Sequence, residues 1–172
     1  MSGPKALRRK RNIGLKVQPG AARDVPAILG LIRGLARYEH LAHTLKTTAR
    51  RLRRDGFGAH PYFRTLLCRN DGKIIGFALY FFTYSTFLSR PNLYIEDLFV
   101  KPGHRGAGAG KALMSNLARV ALRMGCGRME WTVLNWNRPA ISFYERIGAS
   151  LHKEWLLTRL TGTPLRRLAK KG

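Results

Sequence analysis

The chain has 172 residues, of which 45% are hydrophobic and 24% charged, which fits one globular domain with its own core and excludes disordered and collagen-like chains. Lys and Arg total 32 against 9 Asp and Glu, so the formal net charge is +23. A charge of this size attracts polyanions such as nucleic acid and phosphorylated cofactors, and an arginine-rich composition inherited from a GC-rich genome is the alternative explanation.

Two basic ends flank the body of the chain. Residues 1–12 contain Lys and Arg but no acidic side chain, and the same holds for residues 162–172. We predict a disordered basic tail over 1–12, one folded domain over 13–161 and a basic tail over 162–172. The sequence has no apolar signal segment and no apolar run of membrane-spanning length. We therefore expect a cytoplasmic protein that does not enter a membrane.

The cysteines and histidines predict no metal site. Cys68 and Cys126 lie far apart in apolar surroundings, which is typical of reduced core thiols. Of the five histidines, only His40 and His43 are spaced closely enough to bind one metal ion together, and two histidines alone are a weak signal.

In chain order, the first elements are a strand and two helices. Residues 13–17 are predicted to form the strand. Apolar residues from Val25 to Ala36 recur at helical spacing, and Asp24 lies in the first turn, where a carboxylate complements the helix dipole. A second helix, rich in arginine, begins at Thr47 or Thr48 as its cap and ends at 55–56.

Alternating polarity then predicts five further strands, of which the first two form a hairpin closed by the tight turn Asn70-Asp71-Gly72. These strands span 62–68, 73–84, 93–100, 128–134 and 155–160. A long helix follows the strand at 93–100, and a short one spans 137–147 and ends at Gly148. One face of the long helix carries the apolar side chains Leu113, Leu117, Val120, Ala121 and Met124.

A glycine-rich turn, residues 104–111, lies between the strand at 93–100 and the long helix. Glycines at 106, 108 and 110 let backbone N–H groups converge in front of a helix N-terminus, which suits a pyrophosphate. A P-loop would need Ser or Thr at Ala112, and a dinucleotide fingerprint would need Gly at Lys111, so both motifs fail. An ordinary glycine-rich turn remains the alternative.

The pattern that fits is R-x-x-G-x-G at 105–110, which resembles the pyrophosphate signature of the GNAT acetyltransferases. Two further segments, YIEDLFV at 94–100 and WNRPAISFYERIGA at 136–149, are similar to other GNAT blocks. LIRGLARYE, DGFG and YFFTY, at 31–39, 55–58 and 80–84, resemble the branch of spermidine/spermine and thialysine N-acetyltransferases. The resemblance covers 13–161 and implies a single-domain α/β GNAT fold, with a mixed, mostly antiparallel sheet flanked by helices.

The resemblance also implies an acyltransferase that uses acetyl-CoA as co-substrate and holds it in a V between the strands at 94–100 and 128–134. Strand backbone would pair with the pantetheine arm as with an added strand, the glycine-rich turn would cradle the pyrophosphate, and an asparagine would approach from the far side. The cofactor-binding residues implied are Leu98, Phe99, Val100, Arg105, Gly106, Ala107, Gly108, Ala109, Gly110, Lys111 and Asn137.

Two catalytic residues follow from the same resemblance. A protonated amine must lose a proton before its nitrogen attacks a thioester, and Glu96 is the candidate base, acting directly or through water. Tyr144 matches the family's general acid beside the departing sulfur. From spacing alone, Tyr144 is equally a core residue on the apolar face of its helix. Strict strand alternation places one of Glu96 and Asp97 inside the fold and the other outside.

The acceptor amine is inferred from a series of carboxylate and aromatic side chains that lacks one carboxylate. In the polyamine branch such a series recognises a long polycation, whereas here Ser85 stands where those enzymes carry Asp. The positive body charge also disfavours a polycation. We therefore predict a small lysine-like or thialysine-like amine as acceptor. The substrate-binding residues implied are Tyr38, Glu39, Ser85, Glu96 and Glu154.

Other functions stay open at this stage. The acceptor could be spermidine or spermine, or a protein lysine. A GNAT-like module could instead bind nucleic acid weakly through its basic tails and through Arg50, Arg51, Arg53 and Arg54, although no base-reading motif is present. A homodimer is implied by the resemblance alone.

Overall fold

The computed structural model describes residues 14–170, and the chain divides after Thr132 into two compact units. The predicted tail over 1–12 lies outside the described residues, as do the last two residues of the predicted C-terminal tail. The two units are taken in turn.

The first unit is built on a five-stranded sheet whose strands follow one another in chain order. The strands are β1 (Leu15–Pro19), β2 (Arg64–Asn70), β3 (Lys73–Ser85), β4 (Arg90–Val100) and β5 (Met129–Trp131). Neighbours from β1 to β4 pair antiparallel, and β5 pairs parallel with β4. The prediction of a mixed, mostly antiparallel sheet is confirmed, although β5 is much shorter than the predicted 128–134.

The hairpin of β2 and β3 has the turn that its sequence predicts. Asp71 and Gly72, the two central residues, have φ angles of 48° and 77°. Positive φ at both positions is the requirement of a type I′ turn, which Asp-Gly meets at low steric cost. Local chemistry therefore decides this connection.

Three helices belong to the first unit: α1 (Val25–Tyr38), α2 (Ala49–Phe57) and α3 (Ala109–Arg123). Thr48 caps α2, with its hydroxyl accepting from the Arg51 N–H at 3.2 Å. Asp24 is the residue before α1 and is buried; its carboxylate accepts from the Ala21 N–H at 3.0 Å and pairs with Arg69 at 2.9 Å. Both predicted helix starts are thereby confirmed to within a residue.

The helices cover the sheet on both faces. The core on one face joins buried side chains of α1 and α2 to Leu67, Phe77 and Phe99. Side chains alternate along a strand, so Leu66 and Ala78 point to the opposite face, where α3 packs through its own buried residues. The predicted apolar face of α3 is wrong at one residue: Met124 is 49% exposed because it lies beyond the last helical turn.

The second unit contains α4 (Arg138–Arg146) and α5 (Gly162–Ala169). Asn137 caps α4 by accepting from the Ala140 N–H at 3.3 Å, and Gly148, with φ of 92°, follows the end of the helix. The strand predicted over 155–160 is wrong: within 133–170 no strand forms, and a strand needs a neighbour to satisfy its backbone groups. Most of the predicted C-terminal basic tail is helical, as α5.

In the described part of the chain, none of the helices combines the length and the apolar character needed to cross a bilayer.

Candidate active site

A β-bulge in β4 brings two consecutive carboxylates to one cavity. The register pairs Leu79 with Asp97 and Tyr80 with Ile95, so Glu96 is the extra residue of the bulge. Glu96 is exposed and Asp97 is partly buried, yet both line the same cavity. The two carboxylates differ in burial as strict alternation predicts, but the bulge interrupts the alternation and lets both line one cavity.

The cavity has a volume of about 490 Å³, within the range of small-molecule sites, and lies among α1, α2, β4 and the loop between the two helices. Apolar side chains such as Leu35, Leu52 and Leu79 form much of its wall. Its charged residues have both signs: Glu39, Asp55, Glu96 and Asp97 are acidic, and Lys46 and Arg51 are basic. Of the residues predicted to bind the acceptor, Glu39 and Glu96 come together here.

Three of the cavity's carboxylates form a cluster with no cation paired to it. Within residues 14–170, no ion pair involves Glu39, Glu96 or Asp97. Burial, together with the charges of Glu96 and Glu39, raises the pKa of Asp97 to about 7. Burial also raises the pKa of Glu39. A bound cation would relieve the repulsion within this cluster.

The fourth carboxylate, Asp55, is already neutralised. Arg54 donates two hydrogen bonds to it, at 2.6 and 3.0 Å. These hydrogen bonds are the main reason that the pKa of Asp55 lies below its usual value. The negative charge of the cavity that no ion pair balances among residues 14–170 therefore lies on Glu39, Glu96 and Asp97.

Replacing Asp97 by asparagine should stabilise the protein relative to the wild type, and this gain should be larger at pH 8 than at pH 4. The carboxyl titrates near its ordinary pKa of 3.8 in the unfolded chain and at about 7 in the folded protein. The wild type therefore loses stability as the pH rises between these values. At about 1.4 kcal/mol per pKa unit, the loss is on the order of 2–4 kcal/mol, and asparagine does not undergo it. Urea unfolding at both pH values measures the difference.

Asp55→Asn is the matched control, because the pKa of Asp55 is lowered rather than raised. The Asp55 carboxylate stabilises the fold at neutral pH, and this contribution fades as the pH falls through its folded pKa. Because the folded pKa of Asp55 lies below 3.8, its carboxylate is ionised at both pH values, so Asp55→Asn should lose nearly the same stability at pH 4 as at pH 8 and keep the pH dependence of the wild type. A wild-type pH dependence in Asp97→Asn would contradict the role given to that carboxyl.

The glycine-rich turn leads directly into the N-terminus of α3. Gly106 and Gly108 have φ angles of 74° and 87°, which side-chain-bearing residues rarely adopt, and Gly108 is the N-cap of α3. The first helical hydrogen bond runs from the Ala112 N–H to the Gly108 carbonyl at 2.9 Å. The N–H groups of residues 109–111 therefore precede the helical ladder and point out of the helix end. A Cβ built on Gly106 meets no atom within 4 Å, so the turn is open.

Among residues 14–132, the edge of β4 beyond Ile95 that faces away from β3 has no partner strand, and it is called the open edge here. Pairing between β4 and β5 ends at Ile95 and Trp131, while β4 continues to Val100. The Lys101 N–H donates to the Ile75 carbonyl of β3 at 2.9 Å. By alternation, the peptide groups of Leu98 and Val100 point away from β3, toward the open edge. An extended amide chain laid there can pair with them as an added strand does.

Arg105 joins the turn to the end of α1. Its guanidinium carbon lies 4.4 Å from the ring centre of Tyr38 and 5.5 Å from that of Phe99, and its Nε donates to the Val100 carbonyl at 2.9 Å. Stacking of this kind contributes about 0.5–2 kcal/mol. The structure thus brings a residue predicted to bind the cofactor against one predicted to bind the acceptor.

Ser85 lies away from the cavity. It is the last residue of β3 and is buried, and its hydroxyl accepts from the Leu88 N–H at 3.2 Å. Leu79, which lines the cavity, is six residues back along β3, roughly 20 Å at 3.3 Å per residue. A part for Ser85 in acceptor binding stays a prediction.

The remaining predicted site residues belong to the second unit. Tyr144 is the buried side chain of α4, and its ring centre lies 5.4 Å from that of Phe143. Glu154 is exposed and contacts His152, with 2.9 Å between Oε1 and Nδ1. Hydrogen bonds from its own backbone and from His152 lower the pKa of Glu154. Asn137 uses its side chain to cap α4.

Among the charged residues of the cavity, the sequence did not predict Lys46, Arg51, Asp55 and Asp97 as site residues. The sequence groups Arg51 with the arginines of α2 that could contact nucleic acid. The signal that would have placed it was the four-residue spacing to Asp55, which puts both on one side of α2. The bulge that admits Asp97 leaves no such trace in the sequence.

The chain is similar to known proteins in sequence and in fold. The profile of the Acetyltransferase (GNAT) family matches residues 28–149. The thialysine N-epsilon-acetyltransferase of Mus musculus is 36% identical over 165 residues, which cover 90% of this chain and 96% of that protein. The L-ornithine N5-acetyltransferase of Arabidopsis thaliana is 46% identical over 101 residues, 59% of this chain and 44% of that protein. A V. cholerae integron cassette protein superposes with a TM-score of 0.77 at 28% identity, covering 92% of this chain and 99% of its own.

Proposed function

Since the chain belongs to the acetyltransferase (GNAT) family, in the branch that includes the thialysine and spermidine/spermine N-acetyltransferases, we propose that it acetylates the side-chain amine of a small lysine-like or thialysine-like amino acid. The observation that carries the proposal is the cluster of Glu39, Glu96 and Asp97, which makes no ion pair within residues 14–170 and lines a partly apolar cavity. An alkyl ammonium group fits both the charge and the walls.

GNAT acetyltransferases use acetyl-CoA as co-substrate, which supplies an acetyl group activated as a thioester. We propose that the outward N–H and C=O groups of Leu98 and the outward N–H of Val100, whose carbonyl accepts from Arg105, pair with its pantetheine arm. The backbone N–H groups of residues 106–111 would bind its pyrophosphate, and Asn137 is assigned a contact through the family motif. The positive φ angles of Gly106 and Gly108 and the open space at the turn support this fit.

The proposed chemistry uses two proton transfers. Glu96 takes a proton from the acceptor ammonium, directly or through water, so that the nitrogen becomes nucleophilic. An ammonium held by the cluster favours the ionised form of Asp97, because an opposite charge lowers the pKa of a neighbouring carboxyl. Tyr144 donates a proton to the departing sulfur. Its support is the family motif and the burial of its side chain on α4.

The basic residues of the cavity favour a small acceptor over a polyamine. Lys46 and Arg51 line the same cavity as the carboxylate cluster. A second or third ammonium of spermidine or spermine would meet this positive charge. The names of the thialysine and L-ornithine relatives agree with an amino-acid acceptor.

The acceptor assignment is tested by thiol release from acetyl-CoA with a panel of amines. We expect thialysine, lysine and ornithine to exceed spermidine and spermine in kcat/KM by about tenfold or more, equivalent to about 1.4 kcal/mol. A lysine-containing peptide should react poorly. Higher efficiency with spermine would overturn the acceptor assignment and leave acetyl transfer intact.

The homodimer, the cytoplasmic location and weak nucleic-acid contact through the basic ends stay predictions. For the homodimer, the second unit offers one supporting feature. Its segment around 155–157 exposes three large apolar side chains, a composition typical of surfaces that bind other proteins. These are Trp155 at 79%, Leu156 at 84% and Leu157 at 71%.

A further inference from the structure

The cavity of the carboxylate cluster has a cationic side that the proposed function does not yet use. Arg51 lies in the first turn of α2, three residues after the cap Thr48. Its Nη1 reaches the Lys46 carbonyl at 3.5 Å, so the guanidinium extends over the loop that precedes the helix. Lys46 also lines the cavity. Both side chains are exposed, and both are positioned to meet a ligand in the cavity.

Arg51 has no ion pair of its own in the part of the chain that the structure describes. The nearby carboxylate that would be its natural partner, Asp55, is held by Arg54 instead. Within residues 14–170, the cavity therefore presents a guanidinium that makes no ion pair, although it lies near enough to Asp55 to add to the effect of Arg54 in lowering the pKa of that carboxyl, and three carboxylates that make no ion pair. An uncharged or purely cationic ligand satisfies only part of this arrangement.

We propose that Arg51, with Lys46 beside it, binds the α-carboxylate of the amino-acid acceptor while Glu39, Glu96 and Asp97 hold its side-chain ammonium. The inference rests on the proposed function and names the groups that select an amino acid within it. A guanidinium forms two parallel hydrogen bonds to a carboxylate, which gives orientation as well as attraction. A cavity of about 490 Å³ accommodates a lysine-sized molecule.

The same residue would act against polyamines. A polyamine has an ammonium group where the amino acid has its carboxylate, so the charge of Arg51 attracts one class of acceptor and repels the other. Specificity built from one attraction and one repulsion is a difference of affinities, and it is larger than either effect alone. Arg51 is thus a specificity-determining residue.

The experiment compares thialysine with its α-carboxamide in the wild type and in Arg51→Gln. The carboxamide keeps the reacting amine and the chain length but removes the carboxylate charge. In the wild type, we expect kcat/KM to be about tenfold or more higher for thialysine. In Arg51→Gln, we expect kcat/KM for thialysine to fall by about ten- to a hundredfold, mostly through KM, and that for the carboxamide to stay within about twofold.

Arg53→Gln is the matched control, since Arg53 is exposed on the same helix, carries the same charge and does not line the cavity. It should leave both substrates nearly unchanged. Arg51→Lys, which keeps the charge and loses the two-pronged geometry, should recover part of the loss. Equal losses on thialysine and on the carboxamide, or an equal effect of Arg53→Gln, would overturn the assignment of Arg51.

The acceptor and the part given to Arg51 are tested separately by this experiment. A wild-type protein that acetylates spermine better than thialysine overturns the acceptor, and Arg51 with it. A wild-type protein that prefers thialysine and shows no discrimination between carboxylate and carboxamide keeps the proposed function and overturns only the part given to Arg51. Thermal unfolding of each variant establishes that the folds compared are intact.

Discussion

Replacing Gly108 by valine should raise the dissociation constant for acetyl-CoA by at least about a hundredfold in a protein that still folds. Gly108 has a φ of 87°, and a β-branched residue held there is strained by about 1–3 kcal/mol. Relief of that strain would turn the N–H groups at the start of α3 away from each other, and the new side chain would occupy the proposed phosphate site. Titration calorimetry with acetyl-CoA measures the loss.

Gly125→Val separates strain from binding. Gly125 follows the other end of α3 with a φ of 65°, and a Cβ built on it meets no atom within 4 Å. The same substitution there adds comparable backbone strain outside the proposed cradle. We expect a similar fall in stability and an unchanged affinity for acetyl-CoA. Wild-type affinity in a folded Gly108→Val protein would show that the pyrophosphate binds elsewhere.

Replacing Tyr144 by phenylalanine should lower turnover by about 10²–10⁴, the usual range for a lost general acid. The change removes one phenol oxygen and keeps the ring that α4 buries. Acetyl-CoA affinity and the KM for the amine should change little, because the proton is needed only as the sulfur departs. Single-turnover measurements of acetyl transfer test this expectation.

The control for this variant is Phe143→Leu. Phe143 is the neighbour of Tyr144 on α4, with 5.4 Å between the ring centres, and has no titratable group. Its replacement disturbs the packing of the helix without removing a proton, so turnover should stay within a few-fold of the wild type. Comparable losses in both variants would mean that Tyr144 serves packing rather than proton transfer.

Several features were determined by the sequence alone, because each depends on a few neighbouring residues. Asp71 and Gly72 suffice for the hairpin turn, since both tolerate positive φ. Thr48 suffices for the start of α2, since its hydroxyl reaches the N–H three residues on. The spacing of the glycines before α3 likewise predicts the cradle. The family motifs at these positions extend the same local information to the fold.

Other features depend on partners that are distant in sequence, and only the tertiary structure decided them. Alternation predicts opposite faces for Glu96 and Asp97. Pairing with β3 leaves Glu96 as the extra residue of a β-bulge, and both carboxylates line one cavity. The polarity of 155–160 suits a strand, yet a strand forms only where a neighbour accepts its backbone hydrogen bonds. Arg51 looks like one arginine of a solvated run, and it becomes a cavity residue because α2 packs beside the carboxylate cluster. Local preference sets the conformation of a segment, whereas the residues that a side chain contacts are set by how the helices and strands pack.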